Sequence, residues 1–322
     1  MTDVETKQAN GGEAILDPFG LLAAVELDII PSLKLAFEKL CICQSTLDEL
    51  LRCELRFRHP EAGYLSVADG APRFWGTDPE YLERRRSVVL KAIQQVRDSG
   101  LIEVIGKSPQ RIERPEVDAS LGAIGRMEAL FIDPVAEVKV RNGKLVCLDG
   151  TTRALAKGLG GIPAVGLQAV ITSLFSNKKI ALSIRHDILR QMLVWGFRFV
   201  VIDHGILLEA VLRAASGGGE RSELIFFESL RDPNHVPEGL MRVGAAFLSK
   251  LWIDTLPAEI KTRWTRQILN SISRTLTMGQ LLVLRDSAVR GISYLLPLNQ
   301  KACKDSVDEW LAWFYGSLGN PK

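Results

Sequence analysis

Short apolar runs alternating with helical stretches constrain this chain more than any other feature. Ala14-Ile15-Leu16, Cys41-Ile42-Cys43, Lys144-Leu145-Val146-Cys147-Leu148 and Ile162-Pro163-Ala164-Val165-Gly166 are short, nearly free of charge and bounded by turn residues. Such runs read as strands buried on both faces. Between and after them lie stretches with helical spacing: Leu21 to Leu27 and Leu33 to Leu40 around a break at Pro31, Thr151 to Lys157, Leu167 to Phe175, and Ile184 to Trp195. Strand, helix, strand, helix in this order predicts an α/β fold with a mostly parallel central sheet between helical layers.

Chain organisation follows from where that pattern stops. Residues 1–12 are polar, end in Gly11-Gly12 and read as a flexible tail. From Arg56 to Pro79 no period holds. Glu80 to Val96 then reads as a helix with Leu82, Val89, Ile93 and Val96 on one stripe, stopped by Ser99-Gly100, and residues 107–115 read as an exposed loop. Residues 56–115 are therefore expected to be an insertion within the first domain. Leu121 to Phe131 and Pro134 to Val140 are helix candidates, and Phe197 to Ile202 is a candidate edge strand. Residues 216–222 (Ser-Gly-Gly-Gly-Glu-Arg-Ser) form the clearest linker. Beyond it, Leu240 to Leu251, Ala258 to Leu276, Met278 to Leu284 and Ser306 to Tyr315 are helical in spacing, with tryptophans at 252, 264, 310 and 313. An α/β domain over 13–215 and an all-helical accessory domain over 223–322 are expected, a division that suits 322 residues.

Composition removes several classes. Lys+Arg is 40 against Asp+Glu 38, so any bound phosphate must meet a local patch and not the field of the whole molecule. The five cysteines include no CxxC pair, which argues against a disulfide framework or a thiolate zinc site. No apolar run follows a basic N-terminal stretch and none is long enough to span a bilayer, so a reduced cytoplasmic compartment is expected. The four histidines, 59, 186, 204 and 235, are not spaced as metal ligands, and Gly158-Leu159-Gly160-Gly161 follows a helix, as a helix stop does and a dinucleotide loop does not.

Three acids stand out by position. Asp17 ends the first strand, Asp149 ends the strand Lys144–Leu148, and Glu49 lies in the first turns of the helix after Cys41-Ile42-Cys43, a helix expected to be capped by Ser45 with Asp48 in a capping box. In a parallel α/β sheet, side chains just beyond the carboxyl ends of strands share one cleft. Carboxylates meeting there repel unless a cation lies between them, and hard oxygen donors suit Mg²⁺ or Mn²⁺. Each acid alone also has a plain reading: an Asp before Pro or Gly is a common turn residue, and Glu49 alone reads as a solvated helix residue. The combination and its order carry the case.

The segments Ala14–Leu22, Cys41–Leu50 and Lys144–Asp149, together with the helix Thr151–Lys157 and Gly161-Ile162-Pro163-Ala164-Val165-Gly166, resemble the PIN domain family. The likeness covers residues 13–50 and 120–215, and the insertion and helical tail resemble the bacterial subgroup associated with tetratricopeptide-repeat and Gre-factor-like proteins. The resemblance implies an Mg²⁺- or Mn²⁺-dependent nuclease, in most members a ribonuclease and in some an enzyme of structured DNA. It implies Asp17, Glu49 and Asp149 as metal ligands and a further acid before the last strand, for which Asp133 is the candidate and Glu128 its rival. Many members carry a second acid after the late strand Asp. Here Gly150 follows, so a hydroxyl of Thr151 or Thr152 would complete the site. The missing acid also favours a second reading, a non-catalytic interaction module docked through the helical domain. Arg52 and Arg56, on the helix of Glu49, and Arg153, one turn after Asp149, are candidates to hold substrate phosphate or to pair with acids. Arg84-Arg85-Arg86 and Lys178-Lys179 read mainly as solvated faces, and the C-terminal tryptophans mainly as core, with base stacking the alternative.

Overall fold

The computed structural model describes residues 10–58, 63–68, 71–76, 78–106, 122–148, 150–158, 161–197 and 200–318, with the side chains of 63–68, 71–76, 122–129, 151, 155, 317 and 318 left out. The chain divides into two compact units, Met1–Ile180 and Ala181–Lys322.

The first unit carries strands β1 (Glu13–Leu16), β2 (Lys39–Cys43), β3 (Gly63–Ala68), β4 (Ala71–Gly76), β5 (Ile102–Ile105), β6 (Lys144–Cys147) and β7 (Ala164–Gly166). Its helices are α1 (Pro18–Glu26), α2 (Ile30–Ala36), α3 (Gln44–Arg58), α4 (Pro79–Asp98), α5 (Gly122–Arg141), α6 (Gly150–Gly158) and α7 (Leu167–Ser176). Five strands form one sheet in the order β5-β2-β1-β6-β7, every pair parallel, while β3 and β4 make a separate antiparallel hairpin. The parallel α/β reading is borne out. Parallel neighbours need crossovers, and those supply the helical layers.

Both sheet faces are dry, as the uncharged strands require. On one face Ile15, Cys41, Cys43, Leu145 and Cys147 pack with Val135 and Val138 of α5 and Ala156 of α6. On the other, Ala14, Leu16, Leu40, Ile42 and Val146 are equally buried. A one-residue slip of β1 would exchange these two sets, so packing fixes the register Ile15 to Cys41 and Leu16 to Val146.

Several local expectations are corrected. The helix read from Leu33 to Leu40 ends at Ala36, Pro31 lies inside its first turn instead of breaking it, and β2 already begins at Lys39. Ser45 is not a cap, because α3 starts one residue earlier, at Gln44, whose amide donates to Asp48 Oδ1 at 2.8 Å. The two helices proposed around Pro134 are one, α5, which runs through the proline while Val135 and Val138 stay buried. Residues 56–115 are not merely inserted between sheet elements: β5 pairs with β2 from Leu40–Ile102 to Cys43–Ile105 and forms the sheet's edge. Of the candidate edge strand 197–202, the described residues 197 and 200–202 carry no strand.

The boundary also differs from the expected linker. The second unit begins at Ala181 and holds α8 (Leu182–Val194), α9 (His204–Ala215), α10 (Glu220–Ser229), α11 (Pro237–Ile253), α12 (Ala258–Ile272), α13 (Met278–Gly291) and α14 (Pro297–Leu318). The glycines expected to separate domains instead make a tight turn between α9 and α10. Gly217 and Gly219 adopt φ of 89° and 85°, and Gly218 N–H donates to the Arg213 carbonyl at 2.9 Å. Three of the four tryptophans are core, as their spacing suggested: Trp252, Trp264 and Trp310 are buried, with indole N–H bonds from Trp252 to Thr265 (3.1 Å) and from Trp310 to Asn270 (2.8 Å). Trp313 is 63% exposed.

Inside this unit His186 is fully buried, its Nε2 2.8 Å from Glu223 and its ring 4.6 Å from Phe226. Burial pushes its pKa below the ordinary 6.5, with Arg213 adding to that and Glu223 and Asp187 opposing it. A histidine held neutral in the native state but free to protonate when unfolded adds no penalty above pH 6.5 and a growing one below it. The helical unit is therefore expected to lose stability as pH falls through 6.5 towards the lowered native value. Urea titrations across that range would show it, and a slope unchanged in His186→Gln would assign the loss to other groups.

Candidate active site

Asp17 is fully buried at the carboxyl end of β1, the central strand. It has two backbone roles. Its own N–H donates to the Val146 carbonyl at 3.1 Å, extending the ladder to β6. Its Oδ1 accepts from Gly20 N–H and caps α1, with Pro18 in the first turn where a missing N–H costs nothing. A terminated strand and a started helix thus fix one carboxylate at the sheet edge. Gly20 permits this approach: a Cβ there would stand 2.7 Å from Asp17 Oδ1 and 2.9 Å from the Val146 carbonyl oxygen.

Asp133 lies on α5. Its charge, with that of Glu137, bears on Cys43, the last residue of β2, and by register Cys43 is level with Asp17. Asp133, Glu137 and Arg141 form a stripe four residues apart, running back along the strands. Glu137 is 3% exposed, accepts from Arg141 Nε at 3.1 Å, and has no hydrogen-bond partner for Oε1 among the described residues. Arg141 Nη1 continues to Glu13 Oε1 (3.1 Å), which also accepts from Cys41 Sγ at 3.3 Å. Sequence reasoning missed Glu137. Its signal was the four-residue step from Asp133 on an otherwise apolar face. Burial, reinforced by these acids, drives the Cys43 thiol far above its usual range, and burial with Glu13 pushes Cys41 up to about 12.

The other expected residues are placed unequally. Glu49 sits on α3, partly exposed, held by Arg52 Nη1 at 2.8 Å and 3.8 Å from Cys53 Sγ. Arg52 thus pairs with an acid in this arrangement. Arg56 is exposed on the same helix, and Thr152 is buried in α6. Arg153 lies against the backbone at the end of β7: a Cβ on Gly166 would be 2.9 Å from its Nη1. Asp149 and the side chains of Thr151 and Glu128 lie outside the described residues. Among the described residues no three His, Cys, Asp or Glu side chains form a group that could hold a metal ion, so Asp17, Glu49 and Asp133 do not make one by themselves. The basic run 84–86 reads as surface: Arg86 lies 3.8 Å from Glu54 and 3.6 Å from Glu83, and Arg85 stands over Tyr81. No helix among the described residues is long and apolar enough to cross a membrane.

Residues 15–158 match the family model described as PIN domain associated with the TPR-GreAB-C-PIN system. Comparison with curated proteins and with solved structures gives no match.

Proposed function

From the match of residues 15–158 to a PIN domain model, we propose that this chain hydrolyses RNA phosphodiester bonds with Mg²⁺ or Mn²⁺ at a site formed by Asp17, Glu49, Asp133 and Asp149. The observation that supports this best is the buried Asp17, whose carboxylate accepts from Gly20 N–H and whose backbone N–H donates to Val146, at the carboxyl edge of an all-parallel sheet. The donor set is hard carboxylate oxygen, which fits these ions and not a soft one. The ion, when bound, supplies a water activated at neutral pH and charge neutralisation at the phosphoryl oxygen.

The chain's own residues do the rest. Asp17 gives a preorganised carboxylate that needs no rearrangement. Asp133 adds a second from α5. Glu49 joins by leaving Arg52, and a partly exposed pair of this kind holds only about 0.2–1 kcal/mol, so the exchange costs little. The released Arg52 then offers its guanidinium to substrate phosphate, with Arg153 approaching from the end of β7 and the hydroxyls of Thr151 and Thr152 beside Asp149 in the chain.

Incubating the chain with single-stranded RNA, single-stranded DNA and flap DNA, with and without Mn²⁺, tests this reading. Metal-dependent loss of RNA is expected. Cutting confined to flap DNA would instead make it a structure-specific DNA nuclease. The second reading, an interaction module without catalysis, draws support from the matched family's description, which associates its PIN domain with the TPR-GreAB-C-PIN system. Thermal unfolding separates the two. At a hundredfold excess over its dissociation constant, Mn²⁺ is expected to stabilise the α/β unit by about 2.7 kcal/mol, or roughly 5–11 °C. No shift and no cleavage would leave the interaction module.

A further inference from the structure

Trp313 is 63% exposed where Trp252, Trp264 and Trp310 are buried, and it borders a pocket of about 200 Å³ lined by Arg266, Asn270, Glu309, Trp310 and Trp313. We propose that this pocket, between α12 and α14, binds one unpaired nucleobase of a single-stranded RNA, stacked on the Trp313 indole. The proposal rests on RNA being the substrate of the α/β unit, and adds a second contact for the same strand.

The walls match a base better than an apolar side chain. A volume of about 200 Å³ is below that of a drug-sized site and suits a single planar group. Asn270 Oδ1 already accepts from the Trp310 indole N–H at 2.8 Å, which orients the amide and leaves Nδ2 as a donor. Glu309 provides carboxylate acceptors beside it. A donor next to an acceptor complements a base edge, which carries a ring or carbonyl acceptor next to an N–H. An aliphatic group placed there would desolvate Arg266, Asn270 and Glu309 without pairing them.

Charge supports a nucleic acid as occupant. Arg263 and Arg266 lie one turn apart on the exposed side of α12, and Arg274 is exposed just beyond its end. Arg263 pairs with Glu220, and Arg266 with Glu309 at 2.8 Å, but both arginines are more than half exposed. Such pairs give way to a phosphate at little cost. Breaking the Arg266 pair frees Glu309 to accept from the base while Arg266 takes the adjoining phosphate. Stacking platforms beside arginines bind single strands with little sequence preference, since every base has a π-face.

The test uses the full chain carrying Asp17→Asn, without added divalent ion, so that cleavage plays no part. A short unstructured RNA oligomer is titrated while indole fluorescence and polarisation of a labelled strand are read. Trp313→Ala is expected to abolish most of the fluorescence quenching and weaken binding about tenfold, with Trp313→Phe retaining most of the affinity and duplex RNA showing no dependence on position 313. Trp313 is exposed, so circular dichroism of the variants should match the parent. Equal affinity in Trp313→Ala, or equal dependence with duplex RNA, overturns the stacking site. Cleavage by the parent chain with no effect at position 313 removes this proposal alone. Binding that depends on Trp313 in a chain that cuts nothing removes the nuclease reading and leaves the pocket.

Discussion

Asp17→Asn is expected to lower RNA cleavage by at least about a hundredfold while leaving the α/β unit as stable as the parent. The two halves of that result have separate causes. Asn caps a helix as well as Asp does and presents the same Oδ1 to Gly20 N–H, so the strand-to-helix junction survives. The lost quantity is one negative charge where charge stabilisation by a bound ion is worth several kcal/mol, and each 1.36 kcal/mol is a factor of ten in rate. Cleavage assays on freshly purified variant and parent, paired with thermal melts, measure both. The Mn²⁺-dependent melting shift should shrink in the same variant. A variant that cuts at the parental rate would remove Asp17 from the chemistry, and one that unfolds would make the buried carboxylate a structural group first.

Gly20→Ala is expected to destabilise the α/β unit by about 1–3 kcal/mol, against the usual direction of such a change. In an open helix Ala is favoured over Gly by up to about 1 kcal/mol. Gly239 in α11 is such a position, with nothing among the described residues within 4 Å of an added Cβ, and Gly239→Ala should stabilise slightly. At Gly20 the methyl would stand 2.7 Å from Asp17 Oδ1 and 2.9 Å from the Val146 carbonyl oxygen. The carboxylate could turn, but the carbonyl is ladder backbone between β1 and β6 and cannot yield without opening the sheet. A fall of roughly 2–12 °C in the unit's melting temperature is expected, with a larger loss of cleavage than of stability, because the displaced group is Asp17 itself. Melting at or above the parental temperature would mean that α1 moves aside freely and that the tight approach has no role.

What the sequence disclosed about this molecule depends on how local the cause was. Asp17 was legible because strand end, cap and Pro18 are written in consecutive residues. The parallel order was legible because strands dry on both faces carry no alternation. β5 was not: four residues between a helix stop and an exposed loop acquire their meaning only when Ile102 to Ile105 meet β2, a contact distant in sequence. Glu137 was hidden for a similar reason, since an acid on a helix reads as solvated until Arg141 and the sheet close over it. The triglycine at 217–219 misled because flexibility of composition and tightness of turn call for the same residue. Trp313 differs from Trp310 by three residues on one helix, yet Trp310 is buried and bonded to Asn270 of α12 while Trp313 is exposed.

The central place of β1 has a consequence in time. It is synthesised well before β6, the strand from far downstream that completes one flank of its sheet. Long-range parallel pairing of this kind must wait for the whole intervening loop to be made and closed. Until Val146 has been made, Asp17 lacks the backbone carbonyl that anchors it. A nascent chain that stops short of β6 carries Asp17, Glu49 and Asp133 but no assembled edge, so a site of the proposed kind forms only once most of the α/β unit is finished.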